Sequence, residues 1–302
     1  MPEPLLIADV PWLLYRSYFA LPKSIAGADG RPVNALLGVV NALLAALEAR
    51  PSRAVLACFG AEQARYRVEA FPPYHAHRDP MPADLAEQWA RAPALMASFA
   101  WSVIDAEELE ADDAMGSYAQ AEERAGGRAL LLTADRDLYQ AVSERVAVLE
   151  MGKGGVFAEL GPEQVLERYS IAPAQVPDFI ALRGDPSDGL PGAPGIGAKT
   201  AATLLRRYGT LEALLEEAER QCAETVIGAP KGTSELRPRV AAALHENAEL
   251  LRTFKHVATL VEIEAPRPPD RATDFATGAE VARKIGMKRL AERLEGLASS
   301  GG

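Results

Sequence analysis

Five short runs are apolar at nearly every position: Leu5 to Ala8, Ala54 to Phe59, Ser102 to Ile104, Ala129 to Thr133 and Val146 to Leu149. Unbroken runs of this length predict strands buried on both faces of a mostly parallel sheet. Apolar residues at helical spacing fill the stretches between, over Ala35 to Ala49, Ala83 to Ala100 and Asp112 to Glu123. Strands alternating with helices predict an α/β domain. Near residue 184 the texture changes, and the run GDPSDGLPGAPGIG opens a series of helices reaching about Leu251. His256 to Ile263 reads as one more strand, Ala265 to Asp270 as a Pro-rich link and Ala279 to Leu297 as a terminal helical region. The chain thus divides into an α/β core at 1–183, with an arch region at about 65–100, and a helical subdomain at 184–255. A C-terminal strand and helix at 256–302 pack back on the core.

Composition changes this picture little. With 302 residues, 48% of them hydrophobic, the chain can bury a sizeable core. The apolar opening from Leu5 to Leu14 is broken by Asp9 and Pro11 and lacks a basic leader, which argues against a signal peptide or a membrane span. A soluble, cytoplasmic protein without a membrane partner is expected, acting as a monomer. Cys58 and Cys222 form no CxxC pair, which argues against a disulfide framework or a zinc site. The net charge of −10 opposes a nucleic-acid partner unless the acids are gathered in one place.

The acids are gathered at strand ends. LLIAD ends in Asp9; SVIDAEELEADD delivers Glu110, Asp112 and Asp113 at the expected start of a helix; LLLTADRD delivers Asp135 and Asp137; GDPSDG adds Asp185 and Asp188. Open parallel sheets place their sites at the carboxyl ends of strands. Taken singly, each acid serves equally well as a helix cap or a solvated loop residue. As a set, carboxylates about 4 Å apart repel by on the order of 4 kcal/mol per pair at an effective dielectric near 20. Bound cations relieve that repulsion. Hard oxygen donors without His or Cys favour two Mg²⁺ or Mn²⁺ ions, a standard means of hydrolysing a phosphodiester.

GIGAKTAATLL, from Gly195 to Leu205, fits a helix-hairpin-helix. Gly195 and Gly197 allow close backbone approach, free N–H groups at the helix start can bind phosphate, and Lys199 and Thr200 add polar contacts. A purely structural αα-hairpin is the alternative. In the expected arch, Arg65, Arg67, His75, His77 and Arg78 interleave with Tyr66, Phe71 and Tyr74, a composition suited to phosphates and stacking bases. The two histidines read as an exposed polar loop rather than as metal ligands. Arg16, shortly after Asp9, reaches a phosphate or solvates a helix.

Together these residues resemble the bacterial and phage 5′–3′ exonuclease and flap endonuclease family, including the nuclease domain of DNA polymerase I, over about Leu5 to Leu215. LLIADVPWLLYRSYFAL, EADDAMGSYA, LLTADRDLYQ and ALRGDPSDGLPGAPGIGAKTA carry the likeness. It implies a PIN-like nuclease core with a helix-hairpin-helix (H3TH) subdomain, acting on branched or 5′-ended DNA alongside a separate DNA polymerase. Asp9, Glu110 and Asp112 would serve a first metal and Asp135, Asp137, Asp185 and Asp188 a second, with Asp113 close to both. Arg67, His75 and Arg78 would act at the scissile phosphate, and the hairpin would hold duplex DNA and a K⁺ ion. Two departures stand out: Phe59-Gly60 where the family has Phe-Asp, and Tyr74-His75 where it has Tyr-Lys. They admit another reading, a DNA-binding paralogue with feeble catalysis. A toxin-like ribonuclease on a related acidic core fits the length and the hairpin less well.

Overall fold

The computed structural model describes residues 3–152, 155–226 and 236–300. Strands β1 (Leu5–Asp9), β2 (Ala54–Phe59), β3 (Ser102–Asp105), β4 (Ala129–Leu132) and β5 (Val146–Met151) run parallel to one another, as their unbroken apolar runs predict. A sixth strand, β6 (Phe157–Leu160), pairs antiparallel with β5 and closes the sheet in the order β3-β2-β1-β4-β5-β6. At only four residues, with Ala158 exposed between buried Phe157 and Leu160, it lacks the apolar run that marks the others.

Helices cover both faces. Leu5, Ile7, Leu56 and Cys58 face one apolar cluster, shared with α5 (Ala111–Arg124) and α7 (Val176–Arg183). Leu6, Ala8, Val55 and Ala57 face the other, shared with α1 (Val10–Ala20), α2 (Asn34–Ala49), α4 (Ala83–Ala97), α12 (Phe275–Ile285) and α13 (Lys288–Ser300). Neighbouring residues of one strand thus feed opposite layers, because side chains alternate across a pleated sheet. Two short helices, α3 (Arg65–Ala70) and α6 (Pro162–Tyr169), join the first cluster through Val68 and through Val165 and Tyr169. Beyond α7 come the helices α8 (Ala198–Tyr208), α9 (Leu211–Val226), α10 (Pro238–Glu246) and α11 (Ala248–Ala258), whose buried residues join the first apolar cluster. No helix among the described residues is long and apolar enough to cross a membrane.

The strand order positions the site. From β1 the chain moves outward to β2 and β3, then returns to β4 on the other side of β1. That reversal opens a crevice beyond the carboxyl ends of β1 and β4, the usual ligand position in open α/β sheets.

The expected strand over His256 to Ile263 does not form. Residues 256–258 finish α11, and the extended segment beyond has side chains as hydrogen-bond partners in place of a neighbouring strand. Leu260 N donates to Gln140 Oε1 (3.0 Å), Val261 N to Asp113 Oδ1 (2.8 Å) and Ile263 N to Ser117 Oγ (3.0 Å). An apolar run signals burial, and burial does not require a ladder when side chains meet the backbone donors.

Helix α2 starts at Val33, which carries no capping oxygen. Gln88, fully buried on α4, replaces the cap from a distance: its Oε1 accepts from Ala35 N (2.8 Å) and Leu36 N (3.3 Å), and its Nε2 donates to Asn34 Oδ1 (3.1 Å). Gln88→Leu therefore strands two buried donors. It should lower unfolding stability by about 1–3 kcal/mol, read from the denaturant midpoint; a wild-type midpoint would show that these N–H groups find other partners.

Candidate active site

Asp9 ends β1 and caps α1, where Oδ1 accepts from Trp12 N (2.9 Å). Its other oxygen accepts from Thr133 Oγ1 (2.8 Å), and the same hydroxyl accepts from Asp135 N (3.0 Å). The β1–β4 register brings this about, since Ala8 lies opposite Leu132 and the next residues are Asp9 and Thr133. Thr133, invisible as a site residue in the sequence, thus ties the two strand ends together. Its only signal there is its place directly before the Ala-Asp-Arg-Asp turn.

Glu110 is the N-cap residue of α5, and its backbone N donates to Asp113 Oδ2 (3.2 Å). Its Oε1 accepts from Ala64 N (2.7 Å), and Tyr74 Oη donates to Oε2 (3.0 Å). Asp112 follows in the first turn of α5, and Asp137 opens the short 3-10 helix Asp137–Ala141. Asp188 sits in a tight turn held by reciprocal backbone bonds between Asp185 and Leu190 (both 2.8 Å). Asp9, Glu110, Asp112, Asp135, Asp137 and Asp188 line one cleft of about 1050 Å³.

The remaining two expected acids have protein partners of their own. Asp113 is fully buried, receives a bidentate pair from Arg67 (3.0 and 2.8 Å) and accepts from Val261 N. Asp185 accepts from Ser187 N (2.9 Å) and pairs with Arg183 (3.1 Å). Neither lines the cleft. Arg67, expected at the scissile phosphate, is 3% exposed; it also donates to Val257 O (2.9 Å) and lies 3.3 Å from Glu110. It positions Glu110 and Asp113.

His75 corrects the expectation of an exposed arch loop. The residue is 2% exposed, holds φ at 53°, stacks on Tyr74 with ring centres 3.8 Å apart and meets Asp188 Oδ1 through Nε2 (2.9 Å). A buried ring already paired to a carboxylate does not replace a free lysine. Arg78, 47% exposed and 3.2 Å from Asp188, is a solvent-facing cation at the rim, and His77 is solvent-exposed. Arg16 is exposed, its guanidinium 5.9 Å from the Trp12 ring centre. In the hairpin, Gly195 has φ of 76°, Gly197 caps α8, Lys199 is exposed and Thr200 half-buried. A Cβ added at either glycine would meet nothing within 4 Å, so the turn is open to an approaching group.

Gly60 is explained by close approach. A Cβ there would lie 2.5 Å from Leu109 O and 2.7 Å from Ala111 N, backbone atoms that cannot rotate away. The missing carboxylate thus accompanies a tighter seat for the start of α5, which carries Glu110 and Asp112.

The cleft floor carries more negative charge than its protein partners offset. Burial, with Asp135 and Glu110 nearby, raises Asp9 to about 7, against the lowering bonds from Trp12 and Thr133. Asp135 keeps a solvent-facing edge and is raised to about 6, first by lost hydration and then by Asp188, Asp185 and Glu110. Asp112 is raised well above its ordinary value by burial and by Asp135, Asp9 and Glu110; Asp137 by burial and by Asp135, Asp188 and Asp185. All-oxygen donors with uncompensated charge fit a hard divalent cation. Among the described residues no three acids, histidines or cysteines stand close enough together to hold a metal ion between them. Mg²⁺ keeps several waters and needs only one or two direct carboxylates, so an open donor set still suits it.

Comparison with known proteins follows this geometry. The model of the 5′–3′ exonuclease N-terminal resolvase-like domain matches residues 4–170, and that of the 5′–3′ exonuclease C-terminal SAM fold matches residues 171–271. The chain belongs to the 5′–3′ exonuclease family. A 5′–3′ exonuclease of Mycobacterium tuberculosis is 34% identical, with 98% of each chain covered. The thermostable DNA polymerase I of Thermus thermophilus is 38% identical over 96% of this chain, which spans only 32% of that polymerase. Among solved structures, a bacteriophage T5 flap endonuclease complexed with DNA and metal ions shares the fold at a TM-score of 0.63 and 17% identity, covering 98% of this chain and 100% of the other.

Two predictions follow from the site. Between its ordinary value of 3.8 and about 7, Asp9 keeps a proton in the native state that the unfolded chain has lost, so stability falls as pH rises through that window. Carboxylates held low, such as Glu122 and Glu150, act below about 4.5 and do not interfere. The metal-free protein should therefore melt at progressively lower temperature from about pH 5 to 8, and Asp9→Asn should flatten the decline; equal slopes would contradict the crowding. Gly60→Ala should cost about 1–3 kcal/mol through overpacking, and Gly60→Asp should share that loss without tightening metal binding, measured by calorimetric titration. A stable Gly60→Asp protein binding Mg²⁺ more tightly would show that the α5 seat yields.

Proposed function

We propose that the protein is a metal-dependent, structure-specific 5′ nuclease that hydrolyses DNA phosphodiesters at or near a 5′ end, as an exonuclease or on flaps. The observation that carries this reading is the convergence of six carboxylates in one cleft, four of which, Asp9, Asp112, Asp135 and Asp137, have no ion-pair partner among the described residues. Asp9, Glu110 and Asp112 would hold one Mg²⁺ or Mn²⁺ ion, and Asp135, Asp137 and Asp188 a second, with Asp185 shaping the turn behind them. Bound there, the ions would supply Lewis acidity to activate a water and to stabilise the departing oxygen.

The protein's own part is to aim these donors and the substrate. Thr133 and the first turn of α1 orient Asp9; Tyr74, Ala64 N and Arg67 orient Glu110. Arg78 at the rim can exchange Asp188 for a phosphate oxygen. Gly195, Gly197, Lys199 and Thr200 offer an open backbone turn and one cation to duplex phosphate, a mode that needs no base contact. The flap endonuclease solved with DNA and metal ions supports the same reading for this chain. A DNA-binding role with weak catalysis is the second reading, favoured by one observation: His75 and Arg78 both engage Asp188.

The test is a 5′-labelled flap DNA incubated with Mg²⁺ or Mn²⁺, followed by sizing of the products. Wild type should release short 5′ products, and Asp137→Asn should abolish release while keeping DNA affinity in Ca²⁺. Binding without cleavage by wild type would favour the second reading, and full cleavage by Asp137→Asn would refute the assignment of the donors.

A further inference from the structure

The second set of donors is drawn from two separate parts of the chain. Asp135 and Asp137 stand on the turn after β4 and at the start of the 3-10 helix Asp137–Ala141, whereas Asp188 stands on the turn that follows α7. Carboxylates on independent turns share one cation only if something packed against both turns fixes the gap between them. Asp137 is held from one side by its own neighbours. Its N–H donates to Asp135 Oδ1 (2.9 Å), and Asp135 N donates to the Thr133 hydroxyl (3.0 Å) that bonds Asp9 (2.8 Å).

Gln140 holds the other side. This half-buried side chain folds back over its own turn, where Nε2 donates to Asp137 O (2.8 Å) and to the carbonyl of Ala258 (2.9 Å), the last residue of α11. Its Oε1 accepts from Leu260 N (3.0 Å). Both donor hydrogens and the oxygen are thus engaged by backbone groups, a combination that only an amide side chain offers. Ala258 and Leu260 line the same cleft as Asp137. Helix α11 in turn packs on α7, which leads into the turn of Asp188. The end of α11 is therefore the fixed point between the two halves of the donor set, and Gln140 is the bond that ties Asp137 to it.

We propose that Gln140 is a positioning residue for the second cation: it fixes Asp137, and Asp135 with it, at the distance from Asp188 at which one divalent ion takes donors from both turns. The hydrogen bonds of Gln140 among the described residues reach neither β1 nor α5, which carry Asp9, Glu110 and Asp112, so the first cation lies outside its control. The inference rests on the nuclease reading above and gives its second site a determinant that the carboxylates themselves do not carry.

The experiment is a calorimetric titration of the full chain with Mn²⁺ in the absence of DNA, with Asp137→Asn and Asp112→Asn marking which binding event belongs to which site. Gln140→Met keeps the length of the side chain and removes the amide. It should weaken the event lost in Asp137→Asn by about 10–100-fold, the usual consequence of removing a group that orients a metal ligand, and leave the event lost in Asp112→Asn unchanged. Gln140→Asn keeps the amide but draws it back by one methylene; it should move the same event in the same direction, and it serves if the Met variant does not fold. On flap DNA both variants should need more Mg²⁺ for half-maximal cleavage while the rate at saturating Mg²⁺ stays near wild type. Ser117→Ala is the control, because it strands Ile263 N in the same extended segment and should lower the melting temperature without moving either event. Equal weakening of both events by the Gln140 variants, no weakening at all, or an equal shift of the second event in Ser117→Ala would overturn the positioning role. If the two events behave as expected and wild type cleaves no flap DNA, the nuclease reading falls and the role of Gln140 stands. A wild-type protein with no second event would overturn both.

Discussion

Like charge crowded at the edge of the sheet is the constraint around which the rest of the molecule is arranged. Four of the cleft carboxylates are driven toward protonation by burial and by one another. An arrangement that costs stability persists only when the surrounding structure over-determines it. Here that support is visible as bonds that leave the crowded oxygens little freedom. The Thr133 hydroxyl joins Asp9 to the backbone of Asp135, and Ala64 N and the Tyr74 hydroxyl hold Glu110. Among the described residues no ion pair offsets Asp9, Asp112, Asp135 or Asp137, and that imbalance is the basis of the proposal that the cleft takes external cations.

Internal cations are present, but they are committed to the frame around the cleft. Arg67 is consumed by Asp113 and by the carbonyl of Val257, so it welds α3, α5 and the end of α11 into one support. Asp113 returns the favour by accepting from Val261 N, which lets the segment after α11 lie down without a strand partner. Gly60 belongs to the same support, since only the absence of a side chain lets the end of β2 press on the first turn of α5. The residue that departs from the family pattern and the acid that drops out of the cleft thus flank the same turn.

The segment after α3 and the turn before α8 meet at Asp188, which His75 and Arg78 approach from one side while the Asp185–Leu190 turn carries it on the other. The rim of the cleft is therefore built from two parts of the chain more than 100 residues apart. Trp12, Tyr15 and Phe19 of α1 and Trp89 of α4 also line the cleft, which thus has a charged floor, a cationic rim and a flat apolar side.

Much of this was legible in the sequence. Unbroken apolar runs announced five parallel strands, because a strand covered on both faces has no polar positions to spare. Acids at successive strand ends announced the site, because parallel strands deliver their carboxyl ends to one edge. Local pattern carries no information about which acid is matched to a buried arginine, so Asp113 and Asp9 look alike in the sequence although one is spent internally and the other faces the cleft. The same limit made His75 look exposed, made His256 to Ile263 look like a strand and hid Gln88 as the cap of α2. Only tertiary packing decides these, since each depends on a hydrogen-bond partner tens to hundreds of residues away. What the sequence determined by itself was the fold and the chemistry of its edge; which of those charges remain free to act was decided by the fold's long-range pairings.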